Sequence, residues 1–157
     1  MRSKLKRPAR KILLLQTALG GLWLALAGVA ASANDSARTP SVHIENAWIR
    51  WLPSGLPAGG YLTLTNTGDR ALTLIGATSD AFGMVSVHRT VHRGGNVAME
   101  PAERIGIAAH ATLDFAAAGY HLMLMDASKA LKPGDRVSIT LRFADGASLT
   151  VPFEVRQ

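Results

Sequence analysis

The chain predicts an all-β domain, an antiparallel β-sandwich or barrel, on three observations. After residue 33 it breaks into short runs rich in β-branched residues, each bounded by Gly, Pro, Asn or Asp. No segment of that stretch repeats its apolar residues with a helical period. Turn signals recur at nearly regular spacing, which suits many short strands packed face to face.

Taken in order, strands are expected at Val42 to Trp51, Gly60 to Thr65, Leu72 to Thr78, Met84 to Val91 and Val97 to Pro101. Four more follow at Ala111 to Phe115, Tyr120 to Met125, Arg136 to Phe143 and Ser148 to Val155. Asn66-Thr67-Gly68-Asp69, Gly94-Gly95, Lys132-Pro133-Gly134-Asp135 and Asp145-Gly146 supply the turns. Asp-Gly between the last two strands is a hairpin signal. There is no internal repeat and no low-complexity tract.

Ahead of the strands, MRSKLKRPARK holds six basic groups and no acid, and an apolar stretch from Ile12 to Ala30 ends in Ala31-Ser32-Ala33. This is the three-part plan of a secretory signal peptide over residues 1–33, with cleavage expected after Ala33. The apolar stretch is also about long enough for a membrane anchor. Gln16 and Gly20-Gly21 weigh against that reading, and Lys6-Arg7 is not the arginine pair of the twin-arginine route. Residues 34–40 read as a loose N-terminal arm, and residues 41–157 as a single domain.

Removing residues 1–33 takes away six of the 17 Lys and Arg and none of the 11 Asp and Glu, leaving eleven of each. The net charge of +6 therefore belongs to the leader. It gives no reason to expect nucleic acid or, after cleavage, a membrane as partner. Cysteine is absent, which excludes disulfides, acylation at cysteine, thiol redox chemistry and a blue-copper centre.

The chemistry-bearing pattern is His88, ten residues, Met99, twenty-one residues, then His121-Leu122-Met123. Imidazole and thioether donors together suit copper(I) better than harder ions. If Gly94-Gly95 fill a two-residue turn, position 88 pairs with 101, 90 with 99 and 92 with 97. His88 and Met99 then lie on one face as diagonal neighbours, roughly 7–8 Å apart at the backbone. His121 and Met123, two apart on one strand, share a face. Register alone places His92 as well as His88, and Met125 shares the face of Met123. Taken singly, a strand methionine is usually core filler and a lone histidine is usually solvated. Met84 and Met125 are accordingly read as packing residues, and His43 and His110 as surface positions. Trp48, Trp51 and Tyr61 are read as core or rim aromatics.

The chain resembles the periplasmic copper chaperones of the PCuAC family. The four spaced residues fit that family's motif at every interval. So does the surrounding text, including Ala47-Trp48-Ile49-Arg50, the run Gly60 to Gly68, and Gly119 to Met125. The resemblance covers essentially the whole domain. It implies a cupredoxin-like Greek-key sandwich and a metal site of His88, Met99, His121 and Met123, selecting His88 over His92. It further implies a carrier that takes copper(I) towards cytochrome c oxidase, at its CuA centre, with subunit II or a Sco-type chaperone as partner. Two departures stand out. Arg89 occupies a position where members often carry Met, setting a cation near the site, and no His- and Met-rich tail follows Val155-Arg156-Gln157. A second site for copper(II) in such a tail is therefore not expected.

Two other classes compete. A copper-dependent oxidoreductase would need an open coordination position and a substrate pocket, and the chain has no G-x-S-x-G, H-E-x-x-H or Gly-rich phosphate loop. A metal-free adhesion or assembly module would use the sandwich only as a surface. The expected role is a carrier, not an enzyme.

Overall fold

A computed structural model describes residues 39–52 and 56–157. The leader and residues 34–38 of the arm lie outside the described residues; Pro40, at the arm's end, is buried. The described part belongs to the unit Asn34–Gln157. It contains ten strands and no helix: β1 (Val42–Arg50), β2 (Ala58–Asn66), β3 (Leu72–Thr78), β4 (Phe82–Arg93), β5 (Asn96–Pro101), β6 (Ile105–Ile107), β7 (Thr112–Phe115), β8 (Tyr120–Ala127), β9 (Arg136–Phe143) and β10 (Ser148–Arg156). Nine of them fall where the sequence puts a strand. The tenth, β6, is three residues with glycine in the middle, too short for any period to register.

The strands form one continuous hydrogen-bonded sheet in the order β5-β4-β8-β7-β2-β1-β10-β9-β3-β6, with β2 also reaching β8. Most pairs are antiparallel, as expected, but β1–β10 and β7–β8 run parallel. β1 and β10 are distant in sequence, so no turn signal announces their pairing; β7 and β8 are consecutive and pair only at Phe115 opposite Tyr120. β1 is where the sheet changes neighbours. It pairs with β2 over most of its length but continues into β10 only at residues 48–50. A bulge between Glu45 and Trp48, with Asn46 at φ 51°, bends it there.

Burial alternates along β2, β9 and β10, so each presents one apolar face. Those faces turn inward to a core of Ile49, Leu62, Leu64, Leu74, Leu122, Leu124, Ile139, Leu141, Phe143, Phe153 and Val155. Close approach is built in at Gly60, opposite Leu122 in the β2–β8 ladder, where an added Cβ would lie 3.0 Å from the leucine's own Cβ.

The turns follow their residues. Lys132-Pro133-Gly134-Asp135 is a type II turn, with Gly134 at φ 91° and the Asp135 amide donating to the Lys132 carbonyl at 3.0 Å. Asp145-Gly146 closes the β9–β10 hairpin, Gly146 taking φ 83°. Asn66 ends β2 fully buried. Its amide donates to the carbonyls of Arg70 (2.8 Å), Ala108 (3.0 Å) and Ile107 (3.3 Å), and its Oδ1 accepts from the Gly68 amide (3.0 Å). One side chain thus ties the turn after β2 to the end of β6. Asn66→Ala should lower stability by about 2–3 kcal/mol, because several backbone groups lose their partner at once. Urea unfolding should show this as a lower midpoint at unchanged slope.

Candidate metal centre

The site begins with a turn. Gly94 and Gly95 take φ 55° and 81°, the two left-handed positions a type I′ turn demands. The β4–β5 register then comes out as the sequence predicts, with His88 opposite Pro101, Thr90 opposite Met99 and His92 opposite Val97. His88 and Met99 are diagonal neighbours on one face.

The other edge of β4 pairs with β8, His88 opposite His121, Ser86 opposite Met123 and Met84 opposite Met125. Directly opposed residues share a face, so His88, His121, Met123 and Met99 stand on one side of the β5-β4-β8 ladder, and Val87, Leu122 and Leu124 point to the core on the other. His92 stands apart from this group. The β4–β8 ladder ends at Arg89 opposite Tyr120, and His92 lies about 14 Å along β4 from His88, exposed and past the end of β8. Arg89 sits on the opposite face from His88, so its charge is directed away from the donor group.

The two imidazoles face one another with ring centroids 6.1 Å apart. His121 is only 5% exposed although it lies on the outer face. Its Nδ1–H donates a long bond to the Gly119 carbonyl (3.4 Å), and its Nε2 is buried with no partner. Ser86 Oγ lies 3.2 Å from His88 Nε2, and His88 Nδ1 is likewise buried and unpartnered. With each ring's N–H assigned to its protein partner, the bare nitrogens, His88 Nδ1 and His121 Nε2, each keep a lone pair without a donor. Ring nitrogens tethered on one side and bare on the other are oriented as metal-binding histidines are. Desolvation, and then the proximity of His121, hold the His88 pKa below the ordinary 6.5, which keeps that ring neutral at pH 7.

Met99, His121 and Met123 line a groove of about 230 Å³ with Arg50, Gly59, Tyr61 and Ala117. Gly59 stands opposite Met123 on one edge and Arg50 on the other. The Tyr61 hydroxyl lies where a Gly59 Cβ would be, 2.6 Å from it. Tyr61 in turn packs on Trp48 (centroids 4.7 Å apart), which carries the Arg156 guanidinium at 5.7 Å. Trp48 and Tyr61 are therefore rim aromatics, half-buried, whereas Trp51, also half-buried, packs against the core. Sequence reading missed the groove wall, because Arg50 and Tyr61 meet Met123 only through β1–β2–β8 pairing. Met99 is 57% exposed and forms the open side.

Two expectations meet different outcomes. Met84 and Met125 are not packing residues: Met84 is 50% exposed, Met125 is half-buried, and neither is part of the core. Their rung falls on the outer face, where there is no core to fill. His43 and His110 are surface positions, beside Glu45 at 3.4 Å and Asp69 at 3.0 Å. Among the described residues, no three His, Cys, Asp or Glu side chains gather in a metal-binding group. Two imidazoles and two thioethers share the outer face, a soft set, and three of these residues, Met99, His121 and Met123, line one groove.

Solved PCuAC domains match this all-β fold. The copper-bound PCuAC domain of PmoF2 superposes with a TM-score of 0.61 at 26% identity, covering 76% of this chain and 95% of that one. The copper(I) form of DR1885 from Deinococcus radiodurans superposes at 0.60 with 31% identity, covering 81% and 85%. By sequence, residues 42–155 match the LpqE-like family, described as "Putative lipoprotein LpqE-like", and the chain belongs to that family. One relative, "Putative lipoprotein Lxx21020" of Leifsonia xyli subsp. xyli (strain CTCB07), is 35% identical over 92% of this chain and 90% of its own length.

Gly59→Ala tests the groove wall. The obstructing atom is the far end of a side chain, so the fold should lose less than about 1 kcal/mol while the Tyr61 ring is displaced. Tyr61 ring resonances and the Met123 methyl resonance should both move. An unchanged spectrum would contradict the packing of Tyr61 over Gly59.

Proposed function

We propose that this domain carries one copper(I) ion, held by His88, His121, Met99 and Met123, and hands it on without chemical turnover. The observation that carries the reading is the pair of buried, unpartnered imidazole nitrogens beside two thioethers. A buried lone pair without a donor is costly, and a soft cation satisfies both at once. Similarity to the copper-bound PCuAC domain of PmoF2 and to the copper(I) form of DR1885 supports the same choice of ion. Arg50 on the groove wall adds selectivity, since its repulsion falls twice as hard on a divalent ion as on a monovalent one.

Thioethers and neutral imidazoles bind copper(I) less tightly than a pair of thiolates would. That suits a protein meant to let go by ligand exchange, with exposed Met99 the donor an acceptor reaches first. Residues 1–33 act as a secretory signal, cleaved after Ala33, and the domain works in the periplasm. Its acceptor is the CuA centre of cytochrome c oxidase, reached through subunit II or a Sco-type chaperone. The family's lipoprotein description fits an exported protein, although this sequence has no cysteine to carry a lipid.

X-ray absorption of the copper(I)-loaded protein should show two sulfur scatterers, both lost in the Met99→Ala, Met123→Ala double variant. An unchanged sulfur count would remove these residues as ligands. Protons compete for the same imidazole nitrogens. Because the His88 pKa is lowered, the ring is neutral above about 6.5 and gains its proton only as pH falls through the lowered value. Retention against a competing copper(I) chelator should therefore hold at pH 7 and weaken progressively below about 6.5. Retention that does not change with pH would contradict histidine ligation.

A further inference from the structure

Four methionines fall among the described residues, Met84, Met99, Met123 and Met125, and the core contains none of them. Methionine ordinarily fills irregular gaps in cores. Here Leu, Ile, Val and Phe do that, and all four thioethers stand on the outer face of the β5-β4-β8 ladder. Two belong to the donor set already described. The other two are opposed to each other, Met84 on β4 against Met125 on β8.

The rungs on that face run in sequence: Met84 with Met125, Ser86 with Met123, His88 with His121. Successive same-face rungs are about 7 Å apart. Paired residues hold their Cβ atoms within about 5 Å of each other, so two long thioether arms can close on one soft ion. Met123 is within one rung of both ends. Met84 is half exposed, so the outer rung is open to solvent, whereas the histidine rung includes the buried His121. Two thioethers without an imidazole make a weaker set than the four-donor site, which is what an ion that must move on requires.

We propose that Met84 and Met125 form a second, low-affinity copper(I) station, from which the ion passes by way of Met123 to the histidine rung and back. Each transfer is a ligand exchange at copper(I), one thioether replacing another with no change of oxidation state. This relay rests on the four-donor reading above.

The test is titration of the protein, labelled with [methyl-13C]methionine, with copper(I) under anaerobic conditions. The Met99 and Met123 methyl resonances should shift over the first equivalent, and those of Met84 and Met125 should move together only beyond it. The Met84→Leu, Met125→Leu variant should keep the first phase, lose the second, and release the first ion to a competing chelator at least fivefold more slowly. Met84→Leu alone, at an exposed position, should show the same direction and guards against misfolding of the double variant. Met84 and Met125 resonances that stay still through three equivalents, or release at the original rate from the variants, would overturn the relay. Unmoved Met99 and Met123 would instead overturn the four-donor site, so the two failures are distinguishable.

Discussion

β4 is hydrogen-bonded along both edges, to β5 on one side and β8 on the other. A strand in that position fixes the facing of two neighbours at once, and a slip of one residue on either edge would send every side chain of the slipped strand to the opposite face. On the β5 edge the register is set locally, by two glycines in left-handed conformation. On the β8 edge it is set by burial, since Leu122 and Leu124 can reach the core only if His121 and Met123 face outward. The donor group is thus a by-product of two independent demands, one on a turn and one on a core. Neither needs a metal to be met, so the protein can hold its donors ready before any ion arrives.

Much of this was legible because it is local. The Gly94-Gly95 turn dictates the pairing of Thr90 with Met99, and the two-residue step from His121 to Met123 dictates a shared face. What was not legible depends on where strands end and which distant strands meet. His88 and His92 look alike until β8 is seen to stop pairing at Tyr120. Arg50 and Tyr61 join the groove only through β1–β2–β8 pairing, and Ile105-Gly106-Ile107 is too short to show a period. Met84 and Met125 look like packing residues by the habits of methionine in general. Their apolar character says nothing about which face of a strand they occupy.

The arrangement separates two tasks along one ladder. His121 is buried, and in the proposed site the bare ring nitrogens of His121 and His88 supply the drive for binding. Each such nitrogen, left empty, costs about 1–3 kcal/mol, an expense the core must offset in the free protein. Met99, by contrast, is on an edge strand and open to solvent. On the proposed reading, retention is governed from beneath the sheet's outer surface and release from its rim, so affinity and exchange rate can be tuned by different residues.

Keeping the four described thioethers off the core has a chemical side effect. An oxidant reaching the domain meets Met84 and Met99 at the surface, and conversion to the sulfoxide replaces a soft sulfur donor with a polar, harder one. In most proteins such a lesion loosens the interior. Here the interior, built of Leu, Ile, Val and Phe, would stay intact, and a damaged molecule would remain folded yet unable to accept its ion. If the thioethers carry the ion as proposed, oxidative injury would silence this protein without unfolding it, and a sulfoxide reductase would restore it with no need to refold it.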